Sequence, residues 1–166
     1  MAKLTFLGQS VETIGSFPKV GDQAPDFKMV DQNLSDISLE NFLGNKVILN
    51  IVPSIDTDVC AKQLKRFNQE LSSLHNVILL LASMDLPFAH KRFCEAEDIR
   101  NATTLSDYRY HSLESYGVKL KDAPLNGLYA RSVLVLDEQH RILHSEMVSE
   151  ITNEPDYNAA LHAISN

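Results

Sequence analysis

Only two of the 166 residues are cysteine, Cys60 and Cys94. That number excludes a disulfide-stapled scaffold, and a chain of this length builds enough core to need no staple. Cys-x-x-Cys is absent, which removes the motif of a general disulfide oxidoreductase. Basic residues are outnumbered, 15 Lys and Arg against 22 Asp and Glu for a net charge of −7, and they form no run. Such a chain is poorly suited to coating phosphate backbones, so no nucleic-acid partner is expected. No stretch approaches the roughly 20 apolar residues that span a bilayer, so no membrane partner is expected either. The first eight residues lack the apolar core of a signal peptide. The sequence therefore predicts a cytoplasmic protein, although a processed periplasmic chain would look the same. Gly-x-Gly-x-x-Gly and a Walker loop are missing, so nucleotide binding has no support. There are six histidines, with His140 and His144 placed for one strand face, but no Cys-x-x-Cys or His-Glu-x-x-His frames them. They read as surface residues of a hairpin.

There is no internal repeat, low-complexity tract or Pro/Gly/Ser linker, which predicts a single domain over residues 1–166. Alternation of Leu4, Phe6, Val11 and Thr13 around Gly8-Gln9 predicts an N-terminal β-hairpin within residues 1–15. The turn-rich segment 21–27 leads toward another short strand pair. Val47–Val52 and Val77–Ala82 are nearly continuous apolar runs, as in strands buried on both faces. Between them Val59, Leu64, Phe67, Leu71 and Leu74 recur at helical spacing over 58–74, with Asp56 or Thr57 as N-cap. Further along, a helix is expected over 87–97, a strand over 102–105 and a short helix over 112–116 closed by Gly117. A hairpin follows around Asp137–His140, then a last helix over 155–164. Met29, Met84 and Met147 read as core filler. This order is that of an α/β sandwich compatible with a thioredoxin-like fold, a central mixed sheet flanked by helices.

For two isolated cysteines the plain reading is buried apolar filler. The segment Pro53-Ser54-Ile55-Asp56-Thr57-Asp58-Val59-Cys60 argues otherwise. It leaves a buried strand and puts Cys60 in the first turn of a helix, where unpaired N–H groups and the macrodipole favour thiolate over thiol. The thiolate is the nucleophile. Full ionisation of an ordinary cysteine, about 3% thiolate at pH 7, gains only about 30-fold, near 2 kcal/mol. Fast chemistry at such a sulfur needs more, from groups that stabilise charge on the leaving group.

Pro53, Thr57 and Cys60 reproduce Pro-x-x-x-Thr-x-x-Cys, and the fuller Pro-Ser-x-Asp-Thr-x-Val-Cys resembles the atypical two-cysteine thiol peroxidases among the peroxiredoxins. Phe93-Cys94, Leu105–Arg109, Ala130–Val133 and Glu150–Tyr157 extend the resemblance over nearly the whole chain. It implies that Cys60 is the peroxidatic cysteine and that Thr57 hydrogen-bonds the sulfur and the peroxide. Pro53 then shields the thiolate, Arg131 stabilises thiolate and transition state, and Cys94 resolves the sulfenic acid to an intramolecular disulfide. It further implies hydrogen peroxide and alkyl or lipid-like hydroperoxides as substrates, thioredoxin as reductant, a homodimer, and no metal or organic cofactor.

Plain alternatives stand beside these roles. Arg131 reads equally as a strand-edge ion pair, and Asp56 and Asp58 as capping residues rather than paired carboxylates. Asp58 departs from the family it resembles, where a small residue or proline is common, and a carboxylate there either raises the Cys60 pKa or favours the helix start. Glu95 and Asp98 stand where glycines are common. The competing functions are a peroxide sensor that passes its disulfide to a regulatory protein, and a binding module with inert cysteines. Cys94 lies 34 positions beyond Cys60, and a disulfide needs Cα atoms within about 7 Å, so one helix end is expected to unwind between redox states.

Overall fold

A computed structural model describes residues 1–165. Its main sheet has seven strands: β3 (Lys28–Val30), β4 (Asp36–Ser38), β5 (Lys46–Ile51), β6 (Val77–Ser83), β7 (Ala102–Ser106), β9 (Ser132–Leu136) and β10 (Ile142–Met147), in the order β10-β9-β5-β6-β7-β3-β4. β5, β6 and β7 run parallel, while β9 and β3 pair antiparallel at either side, so the sheet is mixed. The helices are α1 (Asp58–Leu71), α2 (Pro87–Ala96) and α3 (Tyr157–Ser165). This is the thioredoxin-like arrangement that the order of patterns predicts.

Alternation along the central strands divides the interior in two, because successive side chains point to opposite faces. Val47, Leu49, Ile51, Leu80, Ala82 and Leu134 enter one core, closed by Phe27, Met29, Leu113 and Tyr116. Ile48, Leu79, Leu81, Val133 and Val135 enter the other, beneath Leu64 and Phe67 of α1 and Ala160 and Ile164 of α3. Cys60 and Cys94 both belong to this second core. All three α-helices contribute there, whereas short 3₁₀ turns over Leu39–Phe42 and Ser112–Tyr116 cover the first core. Gly117 closes the latter turn at φ +68, and a Cβ there would meet the Ser16 backbone.

α1 ends at Leu71, not 74, and exposed Leu74 lies beyond it. The expectation for the histidines also needs correction. His140 sits in the β9–β10 turn at positive φ and is buried, while a register shift between Ile142 and His144 breaks the simple strand spacing.

The N-terminal hairpin, β1 (Lys3–Phe6) and β2 (Gln9–Ile14), joins β8 (Lys119–Leu120) in a second, three-stranded sheet. Leu4, Val11, Leu120, Ala130 and Ile151 form its core. Glu150 fastens the hairpin to the main body. Its carboxylate accepts the Gly8 N–H at 2.9 Å, the Leu7 N–H, the Thr5 hydroxyl, and the N–H and hydroxyl of Thr152. Donation first by Thr152 and next by the Gly8 N–H holds its pKa near 2, below the ordinary 4.5. A carboxyl depressed on folding adds stability above its unfolded pKa, and that stability is lost as pH falls toward the folded value. Glu150→Gln is therefore expected to lower stability at pH 7 and to flatten its decline between pH 4.5 and 2, as read by urea unfolding across that range. An unchanged acid limb would refute the assignment.

Candidate active site

Ile51 ends β5, and Pro53, itself buried, turns the chain toward α1. Thr57, not Asp56, is the N-cap: its backbone is extended and its Oγ1 accepts the Cys60 N–H at 3.4 Å. The Thr57 hydroxyl donates in turn to the Ser54 carbonyl at 3.1 Å. Cys60 is the third residue of α1, so its sulfur lies within the first turn, as expected. Asp58 is exposed at the first helical position, where a carboxylate suits the positive helix end. A cleft of about 320 Å³ opens beside this turn, lined by Ile55, Thr57 and Asp58 on one wall and Ala89, Arg92 and Phe93 of α2 on the other.

Arg131 enters the same place from the start of β9. It is 1% exposed and spends its donors on three acceptors. Nε reaches the Ile151 carbonyl at 2.8 Å, Nη1 reaches Gln63 Oε1 at 3.1 Å, and Nη2 reaches Thr57 Oγ1 at 3.5 Å. The strand-edge ion pair does not form: no carboxylate pairs with Arg131 among the described residues. A buried cation without an anion is costly, and a site that holds one favours any neighbour able to become negative. Burial lowers the Arg131 pKa, and Cys60, ahead of Tyr157, is the group whose charge opposes that.

Cys60 is 0% exposed. Burial pushes its thiol up to about 12, with Arg131 pulling it down and Asp85, Cys94 and Asp56 raising it further. The expected lowering by the helix start is thus outweighed in this closed arrangement, because removing a thiolate from water costs more than one helix end returns. Cys94, on α2, is a free thiol 7% exposed, and its pKa is also raised by burial, with the Gln32 side chain opposing. The two sulfurs are unbonded but share one core, and the charge of Cys94 is felt at Cys60. Thr57, Cys60, Arg131 and Pro53 therefore converge on one helix start, with Cys94 on the facing helix.

Residues 19–161 match the family model described as Redoxin. The chain belongs to the redoxin family. It is 46% identical over 164 residues to a thiol peroxidase of Corynebacterium glutamicum, covering 99% of both chains. A peroxiredoxin-like protein from Aquifex aeolicus superposes with a TM-score of 0.94 at 35% identity, over 99% of this chain and 96% of that one. A thiol peroxidase from Chromobacterium violaceum shares the fold, with a TM-score of 0.91 at 23% identity over 98% and 95% of the two chains.

In this redoxin several functional-looking residues escape sequence reading. Gln63 relays the Arg131 contact inward, its Nε2 donating to Asn50 Oδ1 at 2.9 Å while Asn50 Nδ2 donates to the Leu80 carbonyl. Asn50 was visible as the one polar residue in the Val47–Val52 run, and Gln63 as the polar residue one turn after Cys60. Asp85, which gathers donors from two elements, had no such signal.

Proposed function

We propose that this peroxiredoxin-type peroxidase reduces hydrogen peroxide and alkyl or lipid-like hydroperoxides at Cys60, with Cys94 as resolving thiol and thioredoxin as reductant. The observation that carries the reading is the buried, carboxylate-free guanidinium of Arg131, bonded to the Thr57 hydroxyl that caps the turn bearing Cys60. Such a cation stabilises both the thiolate and the negative charge growing on the leaving oxygen. The Cys60 thiolate attacks the terminal oxygen of R–O–OH. An S–O bond forms as the O–O bond breaks, and the alkoxide departs with a proton as alcohol, or as water when R is hydrogen. The sulfenic acid then condenses with the Cys94 thiol to give a disulfide and water. A dithiol reductant returns both thiols and leaves as its own disulfide.

Burial that raises the Cys60 thiol is the same burial that hides it from peroxide. A breathing motion that admits substrate and water lifts both obstacles together and leaves the lowering by Arg131 and the helix start in force. Pro53, buried just after β5, shields the thiolate from water in this reading. The chain is read as working as a homodimer, which sedimentation of the reduced protein tests.

Consumption of hydrogen peroxide and cumene hydroperoxide with NADPH, thioredoxin reductase and thioredoxin tests the proposal. Sustained turnover is the expected result. A Cys60–Cys94 disulfide that forms without turnover would instead indicate a sensor or another reductant, and no disulfide at all would remove the reading.

A further inference from the structure

The loop before Cys60 and the helix that carries Cys94 are tied together at one carboxylate. Asp85 lies in the short link between β6 and α2. Its Oδ2 accepts the Ile55 N–H at 2.9 Å and its Oδ1 accepts the Ser54 hydroxyl at 2.9 Å, both from the turn that leads into α1. Oδ2 also accepts the Ser83 hydroxyl at 2.6 Å. Ser83 Oγ lies 2.8 Å from Nε2 of His90, a 0% exposed residue in the first turn of α2. A carboxylate only accepts, so the single Ser83 proton points at Asp85 and His90 must donate to Ser83 through Nε2–H. His90 Nδ1 is then the bare nitrogen, and it has no hydrogen-bond partner among the described residues. Burial lowers the His90 pKa to about 4, which keeps the ring neutral and this direction fixed at neutral pH. Donors from the Cys60 loop, from β6 and, through Ser83, from α2 thus converge on Asp85.

We infer that Asp85 is a positioning residue for the peroxidase cycle, the latch that holds the Ser54–Ile55 turn against the α2 start and sets how readily the Cys60 and Cys94 segments part to form their disulfide. The inference rests on the proposed roles of the two cysteines. The latch opposes the second chemical step more than the first, because the breathing that admits peroxide leaves the Thr57 and Arg131 contacts in place while disulfide formation requires a helix end to come away. An Asn at 85 keeps one acceptor oxygen for Ile55 and Ser83 but turns an NH₂ toward Ser54, whose hydroxyl can then no longer donate, and every remaining bond loses its charge assistance. The negative charge also stands near enough to Cys60 to raise its pKa, which gives the residue a second readout.

The test uses reduced protein carrying Asp85→Asn or Asp85→Glu, with Leu39→Ala in the opposite core as a destabilised control. Without peroxide, Asp85→Asn is expected to speed amide exchange at Ile55 by about tenfold, the loss of one charge-assisted hydrogen bond. It also lowers the Cys60 ionisation midpoint read by ultraviolet thiolate absorbance. In stopped flow with one equivalent of hydrogen peroxide, disulfide formation accelerates by about tenfold, while the peroxide step, which needs only the smaller breathing, accelerates by clearly less once the thiolate fraction is accounted for. Asp85→Glu retains the charge and the high midpoint and recovers part of the latch. Leu39→Ala loses stability without altering the ratio of the two steps. Should Asp85→Asn not fold, Ser54→Ala removes one donor beside an intact carboxylate and is expected to move exchange and disulfide formation the same way by about threefold. Wild-type exchange at Ile55 together with a wild-type ratio of steps would overturn the latch. If wild-type protein forms no disulfide, the functional reading fails instead, and the Ile55 exchange and Cys60 titration still judge Asp85.

Discussion

Cys60→Ser is expected to abolish peroxide consumption, to below about one part in a thousand of wild type, because a serine hydroxyl supplies no comparable nucleophile at neutral pH. Cys94→Ser should behave differently. Its first turnover proceeds at the wild-type rate, since Cys94 takes no part in O–O cleavage, and then stalls with Cys60 as sulfenic acid. Rapid-quench measurement of peroxide loss against enzyme concentration separates the two: no consumption for Cys60→Ser, and one equivalent without further turnover for Cys94→Ser. Trapping the stalled species with a dimedone reagent identifies the sulfenic acid. Both side chains are buried in one apolar core, and replacing sulfur by a hydroxyl there leaves a polar group to satisfy. A modest stability loss, about 1–3 kcal/mol, is therefore expected in each variant, too small to unfold a domain of this size. If Cys60→Ser retained peroxide turnover, or if Cys94→Ser cycled normally with thioredoxin, the assigned roles would be wrong.

Arg131→Met carries the second large effect. The substitution keeps an extended, flexible side chain and deletes the cation that pulls down the Cys60 pKa. The Cys60 ionisation midpoint is expected to rise. The peroxide step is expected to fall by about 10²–10³-fold, the usual cost of removing a preorganised group that stabilises a developing oxyanion. The decisive comparison is between these losses at a pH where each variant is equally ionised. A residual deficit there belongs to transition-state stabilisation, whereas its disappearance would confine Arg131 to thiolate formation. Stability should respond weakly. The variant strands Gln63 Oε1 and the Ile151 carbonyl, at about 1–3 kcal/mol each, but it also removes a buried charge with no counter-ion, a replacement often stabilising by about 1–4 kcal/mol. A collapse in rate with a nearly unchanged melting temperature is the signature of a side chain held for chemistry. Arg131→Lys, a point charge without the guanidinium fork, should recover only part of the rate because it cannot reach Ile151, Gln63 and Thr57 at once.

The hairpin, the βαβ unit and the three helices were legible because each carries its own period: 2 in β1 and β2, unbroken apolar runs in β5 and β6, helical spacing in α1. The convergence of Pro53, Thr57 and Cys60 was legible for the same local reason, since a strand end, a cap and a first turn are consecutive in sequence. Arg131 was singled out by resemblance, and only the structure shows that it has no carboxylate partner among the described residues. Thr57 as the cap in place of Asp56, the early end of α1 and the burial of His140 depend on neighbours far along the chain.

The sequence by itself determined the thioredoxin-like succession of elements and the place of Cys60 at a helix start, because periodicity and capping are properties of a few adjacent residues. Tertiary structure alone decided the electrostatics. Arg131 meets Thr57 across 74 positions, Asp85 meets Ser54 and Ile55 across about 30, and Cys94 enters the core that buries Cys60. Burial in that core, with Asp85 and Cys94 adding to it, raises the Cys60 pKa against the lowering by Arg131, opposite to the direction a helix start alone predicts. The reason is that desolvation and Coulomb terms depend on distance and burial in space, which no local pattern of residues encodes.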